Sequence, residues 1–142
     1  MPTDFFDAER IITERWQAQT FASIDAELYD NTTEPDLEAN DSVQVYARVT
    51  VIPVDSTQAS LGDSTSRHER HVGLLEVQLF GRRGQWTKPL LDAADAVSAA
   101  FRGVTDNGVI FETPQIVKLG ARSQTWYQLN VTIPYRWDGY YT

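Results

Sequence analysis

Two long β-patterned segments flank a polar stretch too poor in apolar side chains to fold alone, and this arrangement between Val43 and Phe80 constrains the chain more than any other feature. In the first segment Val43, Val45, Ala47, Val49 and Val51 alternate with Gln44, Tyr46, Arg48 and Thr50, the period of a strand with one buried face. The second, RHVGLLEVQLF from Arg70, carries Leu74, Leu75, Val77, Leu79 and Phe80 on both faces, as a central strand does. Between them, DSTQASLGDSTSRHE holds one Leu among small hydroxyl side chains, too little apolar area to offset the entropy of ordering it. Residues 55–69 are therefore expected to form a mobile loop that orders against a partner.

The rest of the chain reads as α+β. Asp4 and Asp7 suit a helix N-terminus, and Phe5, Ala8, Ile12, Trp16 and Gln19 fall at helical spacing, which predicts a helix from Asp4 to Gln19. An acidic connection, residues 20–42, follows, with Pro35 interrupting any helix. After the GRRGQW loop, Thr87 is a candidate cap for a second helix with Pro89 in its first turn, an apolar stripe of Leu90, Leu91, Ala94, Val97, Ala100 and Phe101, and a stop at Arg102-Gly103. A strand from Val109 to Lys118 is bulged or at an edge because of Pro114. Tyr127, Leu129, Val131, Ile133 and Tyr135 mark the last strand, leaving 137–142 as an aromatic tail. The simplest assembly is one domain over 1–142, a four-stranded mainly antiparallel sheet with two helices on one face, in the order αββαββ. Its open face would carry Tyr46, Arg48, Thr50, Gln128, Asn130 and Thr132.

At 142 residues and 42% hydrophobic, the chain fits one core. No apolar run is long enough to cross a membrane as a helix, and the acidic start MPTDFFDAER lacks the apolar stretch of a secretory signal, so assembly in the cytoplasm is expected. There is no cysteine, which removes disulfides and thiolate chemistry. The sequons at Asn31 and Asn130 have no export context and read as chance matches. The net charge of -8 is concentrated: from Gln17 through Ala47 there is no Lys or Arg, while seven of the 20 acidic residues lie there. That sign opposes sequence-specific nucleic-acid binding, which needs cations to displace counterions from phosphates. The segment is either a solubilising connection or a negative surface that repels DNA, with Glu34, Asp36, Glu38 and Asp41 as its core.

Catalytic motifs are missing. Asp92 and Asp95 lie opposite the second helix's apolar stripe and read as a solvated face. His68 and His71 have no Cys or HExxH context, so His71 reads as a hydrogen-bonding surface residue. GRRG is a tight turn and not a phosphate loop. Neither a catalytic residue nor a cofactor is assigned. Association is better served: Arg82, Arg83 and Trp86 cluster in one loop, and Arg and Trp carry much of the binding energy at interfaces. Trp137, Tyr140 and Tyr141 either fold back on their own subunit or pack on a neighbour. Arg67 and Arg70 are placed to pair with the acidic segment of an adjacent subunit.

The series VTVIPVDSTQASLG, RHVGLLEVQLF, AFRG, GVIFETPQIVKLG and WYQLNVTIPY, in order from Val43 to Tyr135, resembles the tail-terminator (tail-completion) proteins of long-tailed bacteriophages, a group of phage domains of unknown function. These are packing motifs and none is chemical. The resemblance implies a non-enzymatic virion protein forming a hexameric ring at the head-proximal end of the tail. Its partners would be the major tail-tube protein and a head-completion (connector) protein, with DNA passing through unbound. The alternatives left by the residues are a head-completion or stopper protein, an acidic inhibitor that mimics DNA, or a small hydrolase built from unrecognised polar residues.

Overall fold

The computed structural model describes residues 2–29, 42–58, 67–84 and 87–141. Helix α1 (Phe5–Ala18) begins where the sequence places it. Asp4 holds extended backbone geometry and its carboxylate accepts from the Asp7 amide at 2.7 Å, satisfying a donor the first turn leaves open. Helix α2 (Lys88–Phe101) has Pro89 in its first turn and Arg102 as its C-cap, and Gly103 at φ 65 takes the left-handed conformation that ends it. Thr87 is not the expected side-chain cap. Its backbone is itself helical, at φ -67 and ψ -9, and its hydroxyl makes no capping bond.

The described strands form one seven-stranded sheet: β1 (Ala26–Tyr29), β2 (Val45–Gln58), β3 (Arg67–Arg82), β4 (Thr105–Asp106), β5 (Val109–Phe111), β6 (Gln115–Ala121) and β7 (Trp126–Tyr141). Their spatial order is β1-β2-β3-β7-β5-β4, with β6 also on β7. This overturns the expected four-stranded sheet and its αββαββ order. The chain runs αβββαββββ, and the sheet is mixed because β1 lies parallel to β2.

Each departure has a local cause. Strand β1 sits inside the acidic connection, where the Asp25 carboxylate accepts from the Gln44 and Val45 amides and ties it to β2. The Asn107-Gly108 turn, with positive φ at both residues (47 and 87), closes β4 onto β5. Pro114 divides the predicted 109–118 strand into β5 and β6. Both must lie on the same edge of β7, since β3 occupies the other edge from Trp126 to Tyr141.

The expected loop at 55–69 is strand at both ends. Asp55 through Gln58 pair with Val72 through Glu69 after a bulge between Pro53 and Asp55. Residues 59–66 lie outside the described residues. The expected aromatic tail is likewise strand, because β7 continues through Tyr141.

One sheet face is closed by both helices. Val49, Val77 and Val131 align across β2, β3 and β7, and Leu75 pairs with Ile133 as Leu79 does with Leu129. Ile12 and Trp16 of α1 and Val97 and Phe101 of α2 pack on this surface. Burial of each such aliphatic side chain contributes about 1.5–3 kcal/mol. The Trp16 indole donates to Glu27 at 3.0 Å, and Arg15 donates to the Ala100 carbonyl while lying 3.7 Å from the Asp106 carboxylate. Tyr135 is packed over Gly73, its cross-strand partner, and burial, aided by the charge of Glu9, pushes its hydroxyl up to about 12.

Candidate assembly surfaces

The second sheet face has no helix packed on it among the described residues, and its character changes along the strands. At the end nearest the 83–84 turn, Tyr46 stacks on Phe80 with centroids 4.6 Å apart, and Trp126 meets Tyr46 edge-on at 4.8 Å. Arg82 lies over the Trp126 ring at 4.8 Å while its Nε donates to the Val43 carbonyl. Arg83 donates to the Ser123 carbonyl at 3.1 Å. Both arginines therefore tie their loop to the same subunit, with Arg83 still exposed. Trp86 lies outside the described residues. Trp126, which sequence reasoning did not single out, is the tryptophan seated beside Arg82. Its only sequence signal was an aromatic one step before the alternation of the last strand.

Next along the face comes a polar ladder. Gln128 donates to Asn130 at 2.9 Å, and Asn130 donates to Glu76 at 2.8 Å. Gln128 and Asn130, expected on an open face suited to water or to a moderately polar partner, are buried; their bonding to each other and to Glu76 makes that tolerable. Beyond the ladder, Ile52, Leu74 and Pro134 lie in one cross-strand row and Val72, Arg136 and Ile110 in the next. Val72 and Ile52 remain 38% and 36% exposed, so an apolar patch of the sheet stays open to solvent.

Past this patch, Arg70 makes two bonds to the Asp138 carboxylate, at 2.9 and 3.2 Å. His68 Nε2 is 3.1 Å from the same group and its ring stacks on Tyr140 at 4.8 Å. Arg70, with a smaller contribution from His68, holds the Asp138 carboxyl below its ordinary range. Arg70 thus has a partner within its own subunit, while the Tyr140 side chain stays largely exposed. Arg67 and Tyr141 pair through their backbones, and their side chains lie outside what the structure describes, as do Glu34, Asp36, Glu38 and Asp41.

On the helix side of the same ribbon, Ser56 Oγ is 2.6 Å from His71 Nδ1, and Glu69 is 3.8 Å from His71 Nε2. Phe5 meets the imidazole edge-on at 4.9 Å, and Trp137 packs against it at 4.2 Å. His71 is buried, which corrects its expected surface position, because its strand turns it toward the helices. Trp137 is 2% exposed and belongs to this subunit's core. The two aromatic rings wall the imidazole, and Glu69 stands beyond hydrogen-bond distance, so the Ser-His-Glu grouping packs rather than reacts.

Strand β6 is a sheet edge whose Ile116, Val117 and Leu119 are exposed, with Lys118 between them. Asp92, on the solvated side of α2, pairs with Lys88 at 2.9 Å.

A helix-backed sheet with an open edge and an uncovered apolar row defines a subunit built to associate. The model of a protein family described as phage tail terminator protein matches residues 13–135, and the chain belongs to that family. A solved structure titled "Virion of native gene transfer agent (GTA) particle" contains a chain of like fold, with TM-score 0.55 and 14% identity, covering 92% of this chain and 94% of that one. No curated protein matches the chain at a significant level. The protein is thus a structural component of the phage tail, assembling with other tail components, and not an enzyme.

Proposed function

We propose that this chain closes into a ring, a hexamer, on the head-proximal end of the tail tube, where it stops elongation and offers the surface to which the head is joined. The observation that carries the reading is the family match over 13–135, which takes in the end of α1, all of α2 and most of the sheet. The virion origin of the structure with like fold supports it. The partners are further copies of the chain, the major tail-tube protein and a head-completion protein. Assembly takes place in the host cytoplasm, and DNA passes through the ring without specific binding.

Mixing the purified protein with tail tubes and imaging the ends tests this directly. Rings with six-fold symmetry on one end only, together with a block to further tube growth, are expected. A closed two-fold dimer that leaves tubes bare and growing would overturn the reading, and attachment to heads in preference to tubes would move the protein to the head side of the joint.

A further inference from the structure

We propose that the open edge of β6 in one subunit receives β1 of the next as an antiparallel strand, so that the sheet continues from copy to copy around the ring. This deepens the ring reading, on which it rests, by naming the contact that would build it.

Every residue of β6 except Gly120 is exposed, and the strand pairs on one side only, with β7. Its other side offers a row of backbone donors and acceptors, and what satisfies such a row is another extended strand. Charge narrows the choice. Residues 113–125 hold Lys118 and Arg122 and no acid, and neither side chain has an ionic partner among the described residues. A second β6 would set like charges against each other, and β4 has only two residues. At the far end of the same sheet, β1 pairs with β2 and with no other described strand. It lies in the stretch from Gln17 through Ala47 that has no Lys or Arg. The Glu27 carboxylate accepts from the Trp16 indole, and that of Asp25 from the Gln44 and Val45 amides, so both acids are hydrogen-bonded but meet no cation among the described residues.

Strand sense and side-chain facing agree with this pairing. Strand β1 runs parallel to β2, and β2, β3, β7 and β6 alternate in sense, so β6 runs opposite to β1. Rotation about an axis along the strands changes neither sense nor face, and a neighbour's β1 therefore reaches β6 antiparallel with the helix sides matched. Glu27 and Tyr29 lie on the helix side, in register with Ala47 and Val49, and Leu28 lies on the other face. Lys118 and Ile116 share the helix side, in register with Leu129 and Val131, while Val117 lies on the other face beside Asn130. One register sets Glu27 across from Lys118, Leu28 across from Val117 and Tyr29 across from Ile116, joining opposite charges and apolar pairs on matching faces. Because the two edges differ, the contact is heterologous, and it produces a closed ring when its rotation closes.

The absence of native cysteine allows a clean test. With Tyr29→Cys and Ile116→Cys in one full-length chain, mild oxidation of protein assembled at high concentration or on tail tubes should give a ladder of disulfide-linked oligomers on a non-reducing denaturing gel. Each single variant should stay monomeric there, and an equimolar mixture of the two should give dimers. Lys118→Glu, at an exposed site, should weaken self-association about fivefold or more, the scale of reversing one cross-strand charge, with an unchanged circular dichroism spectrum. Dimers from Ile116→Cys alone would reveal a symmetric β6 contact and overturn the proposal, as would undiminished association of Lys118→Glu. Tubes capped by wild-type rings with no ladder from the double variant would sink the contact and keep the ring reading. A ladder from a protein whose wild type never caps tubes would keep the contact and sink that reading.

Discussion

Tyr135 lies across Gly73 so closely that a Cβ placed on Gly73 would stand 2.5 Å from the ring's Cζ and hydroxyl and 2.6 Å from the Ile52 carbonyl oxygen. The ring could swing aside, but the backbone oxygen cannot without breaking the β2–β3 pairing. Gly73→Ala should therefore lower unfolding free energy by about 1–3 kcal/mol, the usual range for overpacking. Urea unfolding checks it, with Val72→Ala as the exposed neighbouring control, and equal midpoints for the two variants would contradict the clash.

Tyr135 also sets an alkaline limit. Its folded pKa, about 12, exceeds its ordinary value of 10.0, so its contribution is fully present below pH 10 and is lost as pH rises toward 12. In melting experiments over that window, Tyr135→Phe should lose stability less steeply than the wild type. Parallel curves would place the tyrosinate elsewhere.

Asp138 works in the opposite direction. Its carboxyl is depressed by Arg70 and His68, so its stabilisation is present above the ordinary carboxylate pKa and fades as pH falls through the folded value. Asp138→Asn should be less stable than the wild type near neutrality by up to about 1 kcal/mol, the scale of solvent-accessible ion pairs. The difference should shrink in acid. A gap that is constant down to pH 2 would assign the loss to packing.

The two helix starts should respond differently to alanine. Asp4→Ala removes the bond to the Asp7 amide and should cost about 1 kcal/mol. Thr87→Ala removes no cap and should stay within about 0.5 kcal/mol. Paired thermal melts decide it, and equal losses would show that Thr87 caps α2 in solution.

Reversing Glu34, Asp36, Glu38 and Asp41 to Lys separates the roles open to the acidic segment. If the segment borders the DNA path, virions should assemble but eject slowly, and the purified variant should hold DNA with an affinity that falls as salt rises. If it serves subunit contacts, assembly should fail first. Normal assembly and ejection would leave the segment as a solubilising connection.

The sequence revealed most where one periodicity ran uninterrupted. Both helices fall within a residue or two of their expected limits, and β3 is central because its apolar residues occupy both faces. Reading failed where that periodicity was broken. The bulge at Pro53 and Asp55 inserts Val54 and ends the visible alternation, so strand continuing to Gln58 looked like loop. Strand β1 has four residues and includes Glu27, whose partner is the indole of Trp16 in α1, eleven residues earlier, with no local trace of the pairing. Trp137 continues the odd-numbered apolar series of Ile133 and Tyr135, but Asp138-Gly139 directly after it resemble a chain terminus leaving the sheet, although the strand runs through both. Among the association residues, Arg and Trp type drew attention to the GRRGQW loop, but the bonds of Arg82, Arg83 and Arg70 within their own subunit depend on strand register. No single segment encodes that register.

Strand β7 pairs with β3 on one side and with β5 and β6 on the other, yet it follows all of them in the chain. As the protein is being synthesised, three earlier strands consequently wait without their main partner until residues 126–141 have left the ribosome. The β1–β2–β3 part and the short β4–β5 turn can pair before then, but the closing step joins contacts far apart in sequence, which makes for slow folding. A phage making many copies at once thus holds a population of nascent chains with bare strand edges, the condition in which chaperone supply governs yield.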